Sequence, residues 1–165
     1  MNLAPCPECE ASVPKVDGAV HEYFGASSGC WALYGDVLAR EYSSPGLFAK
    51  IHRYTVDAYA AQHVGGDDPR AIQSINIHLA ALCLLFERKV TTDYATRALG
   101  RLVESRKGTF RQLTKPSFAP SLKVTDIALA KTDEEHEKLV LKWAESVWGA
   151  WSKDHDYIRT LVNSL

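Results

Sequence analysis

The chain has 165 residues, enough for one domain with a substantial buried core. Hydrophobic residues make up 46% of it and charged residues 24%, a balance typical of a folded globular protein and not of a disordered one. Its 19 basic and 20 acidic residues give a net charge of −1, so no overall field would attract nucleic acid or an anionic membrane. We therefore expect neither of these partners, and a small-molecule or protein partner stays open.

The N-terminal residues Met-Asn-Leu-Ala-Pro-Cys lack the basic and apolar regions of a signal peptide. The longest apolar run, from Ile77 to Phe86, is interrupted by His78 and is too short to cross a bilayer. A cytoplasmic location is therefore expected. In that compartment, clustered cysteines usually bind metal or carry out redox chemistry and seldom form disulfides.

Proline and glycine punctuate residues 1–26, which predicts a loop-rich or hairpin-like segment without a core of its own. Ser27-Ser28-Gly29 then offers a helix N-cap, and apolar residues at helical spacing predict a first helix over residues 27–42 and a second over 47–64. A third helix, over residues 70–88, is apolar nearly all round, as expected for the buried central helix. A fourth helix is predicted over residues 92–104.

Residues 108–123 contain two prolines and show no helical period, so they predict a long loop. A short helix is expected over residues 124–131. The last helix begins after Thr132, with a glutamate at the capping-box position, and its apolar stripe continues to the C-terminus. The predicted fold class is all-α, a single domain of residues 1–165 built as a bundle of about five helices. Residues 1–30 form a zinc-knuckle-like segment packed on that bundle.

The pair Cys6 and Cys9 has the spacing at which a turn brings two thiolates to one zinc ion. A closed structural site needs two more ligands, and His21 and Cys30 are the nearest candidates. Cys30 lies in the first turn of the first predicted helix, where the helix dipole favours a thiolate. The predicted ligands of a structural zinc ion are Cys6, Cys9, His21 and Cys30.

Two other interpretations of these cysteines stay open at this point. They are either ordinary surface and core residues or a redox pair. A redox C-x-x-C usually opens a helix after a strand, whereas prolines within and before the pair favour a metal knuckle. Cys83, inside the predicted central helix, is expected to be a small buried apolar residue.

Histidines lie within or beside the apolar stripes of three predicted helices, at positions 63, 78 and 155. Such a set can converge on one divalent metal with an open position, as catalytic sites require. The alternative is a set of buried histidines that are hydrogen-bonded within a polar network, and Asp57 would then pair with Arg53 or Arg159. The residues of this candidate second metal or ligand site are His63, His78, His155, Asp57, Tyr59, Trp148 and Trp151.

Residues 101–123 are rich in basic side chains, with Phe110 and Phe118 among them. Basic groups that follow a phosphate backbone, with aromatic rings that stack on bases, are typical of single-strand nucleic-acid binding. A solvated loop whose phenylalanines pack on the core is the more common arrangement. The neutral charge of the whole chain favours that second interpretation.

The fragments "CPEC", "HEYFGASSGCW", "TVDAYAAQH", "QSINIHL" and "WAESVWGAWSKDH" together resemble an uncharacterised bacterial family, a domain of unknown function. That family carries C-P-x-C, G-C-W, V-D-x-Y-x-x-Q-H and W-x-x-x-H motifs, and the resemblance covers nearly the whole chain. It implies positions of interest but no reaction. The matching positions are Cys6, Cys9, His21, Cys30, Trp31, Asp57, Tyr59, Gln62, His63, Gln73, Ser74, His78, Trp148, Trp151 and His155. The chain is more loosely similar to the DinB-like helical metalloproteins, which use three bundle histidines, although it lacks their H-x3-H pair.

Two functions are consistent with these patterns. In the first, zinc is structural and the chain is a module that binds a small ligand or a partner in a pocket of Tyr59, Trp148, Trp151 and His155. In the second, the inner histidines hold a second divalent metal whose bound water is the nucleophile of a hydrolase or transferase. The binding module is favoured, because bundle histidines without a carboxylate partner at clear spacing are more often structural. Whether the chain is an enzyme stays open.

Overall fold

The computed structural model describes residues 2–165, and it is all-α, as predicted; Met1 of the predicted domain lies outside the described residues. Two short antiparallel strands, β1 and β2, precede seven α-helices, and one turn of 3-10 helix separates the last two. The elements are β1 (Leu3–Pro5), β2 (Ser12–Pro14), α1 (Ser28–Tyr42), α2 (Pro45–Gln62), α3 (Pro69–Phe86), α4 (Thr92–Arg106), α5 (Val124–Ala128), α6 (Asp133–Ala150), the 3-10 turn (Ser152–Asp154) and α7 (His155–Asn163).

Side-chain caps begin α1 and α6 where the sequence predicts them. The Ser27 hydroxyl accepts a hydrogen bond from the Cys30 amide at 3.3 Å, and the Thr132 hydroxyl accepts one from the Glu135 amide at 3.1 Å. The Glu135 carboxylate accepts from the Lys131 amide at 2.8 Å, so the expected capping box is shifted by one residue. Each cap satisfies backbone N–H groups that the first turn of a helix leaves without an intrahelical partner.

The hydrophobic core is built around α2 and α3. Helix α2 packs against α1, α3 and α6, and α3 also contacts α4 and α7. Leu79 and Leu82 of α3 are fully buried, as is Trp143 of α6, whose indole N–H donates to the Gln62 side chain at 2.9 Å. The predicted central position of the third helix is therefore confirmed.

Among the described residues, α3 is the single helix whose length and hydropathy would allow it to cross a membrane. However, 56% of its residues are buried inside the fold, and the core helix of a folded domain meets the same criteria. Packing against α2, α4 and α7 accounts for its apolar character without a bilayer.

The last predicted helix is two helices. Helix α6 ends at Ala150, the chain tightens through Ser152–Asp154, and α7 begins at His155. Trp151 at this junction is buried, and its indole N–H donates to the Ala61 carbonyl at 3.0 Å. Apolar spacing alone does not reveal such a break, because the stripe continues on both sides of the turn.

Residues 2–27, which we call the N-terminal cap, contain the β1–β2 hairpin and the chain that leads into α1. The cap lies against the start of α1 and the end of α2. Gly65 shows how close this approach is, because a Cβ there would lie 1.7 Å from the Tyr23 carbonyl oxygen. A glycine is required at this contact for steric reasons.

The loop of residues 107–123 also packs on the cap and the bundle. The Lys115 ammonium lies 3.1 Å from the Glu8 carboxylate of the cap. Phe118 is buried and Phe110 packs against the core, which is the arrangement of the solvated-loop interpretation. The loop thus contacts both the N-terminal cap and the bundle, although it is distant from the cap in sequence.

Candidate metal centre

The first two cysteines lie in the loop of the β1–β2 hairpin. The Cys6 amide donates to the Ala11 carbonyl and the Glu10 amide donates to the Cys6 carbonyl, both at 2.9 Å, so the loop folds back on itself. Glu10 has a φ of 63°, in the left-handed region, which turns the chain after Cys9. The result is a knuckle that buries both thiols, with Cys6 1% and Cys9 0% exposed.

The third cysteine, Cys30, lies in the first turn of α1. Its Sγ is fully buried, 3.9 Å from the Cys9 Sγ. The neighbouring Gly29 permits this position, because a Cβ there would lie 1.9 Å from the Pro14 carbonyl oxygen of β2. A larger residue would push the helix, and Cys30 with it, away from the hairpin.

The fourth group is His63, the C-cap residue of α2. Its Nδ1 lies 2.7 Å from the Tyr59 carbonyl oxygen, so Nδ1 carries a proton and donates it, and Nε2 is the ring nitrogen that can bind a metal once it has lost its proton. This Nε2 lies 3.3 Å from the Cys30 Sγ, and the Tyr59 hydroxyl donates to the same sulfur at 3.5 Å. Hydrogen bonds of this kind fix the tautomer and orientation of metal ligands.

The ligand atoms of Cys6, Cys9, Cys30 and His63 all lie within 4.8 Å of one another, and all four residues are buried. Zinc bonds to sulfur are about 2.3 Å long, so two sulfur ligands of a tetrahedral ion are about 3.8 Å apart. The 3.9 Å between Cys9 and Cys30 agrees with that separation and is too long for a disulfide. The four residues can therefore hold one metal ion.

The ionisable groups of this cluster influence one another strongly. Hydrogen bonds from the Cys30 and Cys9 thiols lower the pKa of Cys6 far below its ordinary value, and the same contact with Cys6 raises the pKa of Cys30. Burial lowers the pKa of His63, but hydrogen bonds to Cys6 and Cys9 raise it more, to about 9. The cluster favours a thiolate, the form of cysteine that binds metal, and metal binding releases the remaining protons.

The predicted ligand set needs one correction, because His63 stands where His21 was expected. His21 lies among aromatic residues of the cap, where its ring stacks on Phe24 with 4.2 Å between centroids and its Nδ1 accepts from the Tyr23 amide at 3.3 Å. The correction has a packing cause. The close approach at Gly65 places the C-terminal end of α2 against the N-terminal cap. His63, at that end of α2, therefore lies beside the cysteines although it is distant from them in sequence.

The three inner histidines do not converge. His63 belongs to the cysteine cluster, and His78 Nδ1 lies 2.7 Å from a carboxylate oxygen of Asp57. His155 stacks on Trp148 at 3.7 Å and approaches its carbonyl oxygen at 2.8 Å. Within residues 2–165, the cluster with three cysteines is the one group of cysteine, histidine and acidic side chains spaced to share an ion. The predicted convergence of the three histidines on one metal is therefore wrong. They make polar contacts instead, as in the alternative interpretation of histidines that are hydrogen-bonded within a polar network.

Tyr59 and Trp151, also singled out from the sequence, are core residues. Tyr59 is fully buried, with its ring stacked on Tyr34 at 3.8 Å and on His63 at 3.9 Å. Burial raises the pKa of Tyr59, so its hydroxyl stays protonated and able to donate to a thiolate. Tyr59 thus supports the cysteine cluster, while Trp151 joins α6 to α2 through Ala61.

A buried carboxylate that sequence reasoning missed lies at the other end of α2. Glu41 of α1 is fully buried, with His52 Nδ1 at 2.7 Å and His136 Nε2 at 3.0 Å from its oxygens, and it accepts from the Thr55 hydroxyl. Burial raises the pKa of Glu41, but the hydrogen bonds from His136 and His52 lower it more, so the net shift is downward. The one available signal was a charged residue near an apolar stripe, and it did not identify partners on two other helices.

An all-α bundle with a buried cluster of three cysteines and one histidine defines a helical protein with a candidate metal site between its N-terminal cap and its bundle. A family model, "Family of unknown function (DUF5946)", matches residues 4–152, and the chain belongs to that family. The match includes the whole cluster and confirms the resemblance to a family of unknown function, while the looser similarity to the DinB-like proteins stays a prediction. Comparison with the curated proteins gives no match, and comparison with the solved structures gives none either.

Proposed function

We propose that this chain is a zinc protein in which Cys6, Cys9, Cys30 and His63 hold a structural ion that fastens the N-terminal cap to the bundle. One observation carries the proposal: four buried ligand atoms, from the hairpin, from α1 and from α2, lie within 4.8 Å of one another. Thiols from separate elements seldom meet in this way unless a common ion or a disulfide draws them together, and all of these thiols are free.

The donor set favours zinc over other ions. Thiolate and imidazole are ligands for zinc and other soft or borderline metals, whereas calcium and magnesium require oxygen ligands. Iron–sulfur clusters are usually held by four cysteines, and here the fourth ligand is His63. Three sulfurs and one nitrogen match a common structural zinc site.

We infer that the ion is structural because the protein itself supplies four ligands. A catalytic zinc site keeps one position open for water or substrate, while a structural site is closed by protein groups. Both cysteines of the C-x-x-C pair belong to this ligand set, so a redox role for them is disfavoured. The ion would stabilise the folded N-terminal cap. It would not hold a water molecule as a nucleophile.

The proposed biochemical role is binding of a small ligand or a protein partner. A hydrolase or transferase with a second metal would need His63, His78 and His155 around one ion, and these residues have separate partners. Four free thiols suit a reducing environment, so we propose a cytoplasmic location. This role explains why the chain has a rigid scaffold and a closed metal site.

Elemental analysis of the purified chain tests the metal. We expect one zinc per chain, and His63→Ala should reduce the zinc content because it removes one of the four ligands. His21→Ala is the matched control, since it removes the histidine that the sequence favoured and should leave the zinc content unchanged. Cobalt(II) substitution should give thiolate-to-metal absorption in the native chain and in His21→Ala.

Three results would contradict the proposal. These are a chain that takes up neither zinc nor cobalt, a His63→Ala variant with full metal content, and a second equivalent of tightly bound metal. The last result would favour the hydrolase or transferase, and loss of that second metal in His78→Ala would identify its site.

A further inference from the structure

Asp57 and His78 form a carboxylate–histidine pair outside the metal centre. Asp57 is fully buried in α2, and His78 Nδ1 lies 2.7 Å from its Oδ1. The carboxylate accepts the Nδ1 proton, so Nε2 is the ring nitrogen that remains for another group. A histidine held in this way presents a lone pair at a fixed position, as a proton acceptor of a binding or catalytic site must.

Arg53 completes the support of this pair. Its guanidinium donates two hydrogen bonds of 2.8 Å to Asp57, one to each carboxylate oxygen. This bidentate contact neutralises the buried carboxylate and fixes its plane. The Asp57 carboxylate thus holds Arg53 and His78 together, and these contacts fix the orientation of the His78 ring.

His78 lines a cleft of about 420 Å³ between α3, α4 and the cap. Ser74 and Arg70 lie one and two turns before it on α3 and line the same cleft, together with Gln73. An adjoining cleft of about 530 Å³ shares Arg70 and Gln73 and adds Lys107. The two clefts form one depression of mixed polar and apolar lining, with a histidine at one end and cationic groups towards the other.

The cationic end is available to an anion. Arg70 pairs with Glu22 at 3.2 Å, but the two side chains are 74% and 79% exposed, so water weakens this pair. An oxyanion can replace the Glu22 carboxylate at little cost and form a bidentate contact with the guanidinium.

We propose that this depression binds a small molecule that carries an oxyanion and a hydroxyl group. Arg70 takes the oxyanion, and His78 Nε2 accepts a hydrogen bond from the hydroxyl, with Asp57 as the positioning residue for His78. The inference deepens the proposed binding role and rests on it, and the metal makes none of the proposed contacts with the ligand.

Another carboxylate–histidine pair, Glu41 with His52, is the natural comparison because it also borders a cleft. His52 is held by Glu41 at 2.7 Å and also lines a cleft, of about 500 Å³. That cleft contains Asp93, a carboxylate that would repel an oxyanion, and Arg53, which is engaged by Asp57. The cationic group of the His78 cleft is what favours it as the anion site.

Titration of the 165-residue chain with inorganic phosphate and with glycerol 3-phosphate tests this site, with side-chain nitrogen-15 NMR of the histidines as the readout. Glycerol 3-phosphate, which adds hydroxyl groups, should shift the His78 ring signals and bind more tightly than phosphate. Arg70→Gln should weaken the binding of both ligands by about tenfold or more, because it removes a hydrogen bond to a charged group. His78→Gln should reduce the preference for glycerol 3-phosphate over phosphate.

Two variants serve as controls. Arg97→Gln removes an exposed arginine that pairs with Asp93, and His52→Gln removes another carboxylate-bound histidine that lines a cleft. Both should keep the native affinities. Asp57→Asn should change the ring tautomer populations of His78, because an amide accepts the Nδ1 proton less strongly than a carboxylate does.

The proposal is overturned if neither ligand shifts the His78 signals, or if Arg97→Gln weakens binding as much as Arg70→Gln. The zinc content of the same samples separates this inference from the metal proposal. Ligand binding by a chain without zinc would contradict only the structural ion. A zinc-loaded chain that binds neither ligand would contradict only the anion site.

Discussion

The N-terminal cap and the helical bundle are held together by different interactions. The bundle buries a continuous set of large apolar side chains, including Leu79, Leu82 and Trp143. The cap has two strands of three residues each, and Cys6 and Cys9 are among its few buried side chains. A two-stranded hairpin is marginally stable by itself. In the cap, the ligands of the proposed ion would take the place of the hydrophobic core that stabilises the bundle.

Removal of the proposed zinc ion should have the largest effect, because it should destabilise the N-terminal cap and leave the bundle folded. Structural zinc stabilises zinc-finger peptides by about 10–16 kcal/mol at neutral pH, more than a single side chain usually contributes. We expect chelation to abolish hydrogen-exchange protection in the hairpin, at the amides of Cys6 and Glu10, while α3 stays protected. Hydrogen exchange with mass spectrometry measures both regions in one experiment.

Readdition of zinc is the control, and it should restore protection of the hairpin. If chelation unfolds α3 together with the cap, the two regions unfold as one cooperative unit. That result would contradict the view that different interactions stabilise them. An unchanged hairpin in a metal-free chain would show that packing alone is sufficient.

Glu41→Gln should destabilise the bundle and leave the cap in place. The substitution weakens hydrogen bonds from His52 and His136 to a buried charge, which corresponds to about 2–3 kcal/mol at neutral pH. Because the pKa of Glu41 is below its ordinary 4.5 in the folded chain, its contribution is present above pH 4.5. The contribution is lost as the pH falls through the lowered pKa.

Urea unfolding at several pH values measures this effect, with zinc content followed in parallel. The difference between native and Glu41→Gln should be largest near neutral pH and should shrink under acid conditions. Glu137→Gln, which removes an exposed partner of Lys50, is the control and should change the free energy of unfolding by less than about 1 kcal/mol. A difference that is constant from neutral to acid pH would contradict the role of the charge.

Gly65→Ala probes the junction of the two regions and should have the smallest effect. The added methyl group would clash with the Tyr23 carbonyl oxygen, so we expect a loss of about 1–3 kcal/mol from the docking of the cap. Gly35→Ala, in α1 with open space around it, should instead increase stability by about 0.5–1 kcal/mol. Thermal unfolding of the two variants, with equal zinc loading, separates these outcomes, and equal effects would contradict the close approach.

Much of the fold could be predicted because its signals are local. Apolar residues at helical spacing, and the helix N-cap at Ser27, are signals that depend on neighbours within a few residues. The bounds that they predict for α1 to α4 lie close to those in the structure. The break at Trp151 was missed because it depends on the Ala61 carbonyl of another helix. The Glu41 network was missed for the same reason, since its histidines belong to α2 and α6.

The all-α fold and three of the four residues of the cysteine cluster follow from local sequence, because Cys6 and Cys9 share one turn and Cys30 lies in the first turn of the next helix. The fourth residue depends on tertiary packing. Spacing favoured His21, which is closer along the chain, whereas the packing of α2 against the cap places His63 Nε2 beside the Cys30 sulfur. Ligands close in sequence are set by local backbone geometry, but a ligand on a distant helix is set by which faces pack together, and that is a property of the whole core.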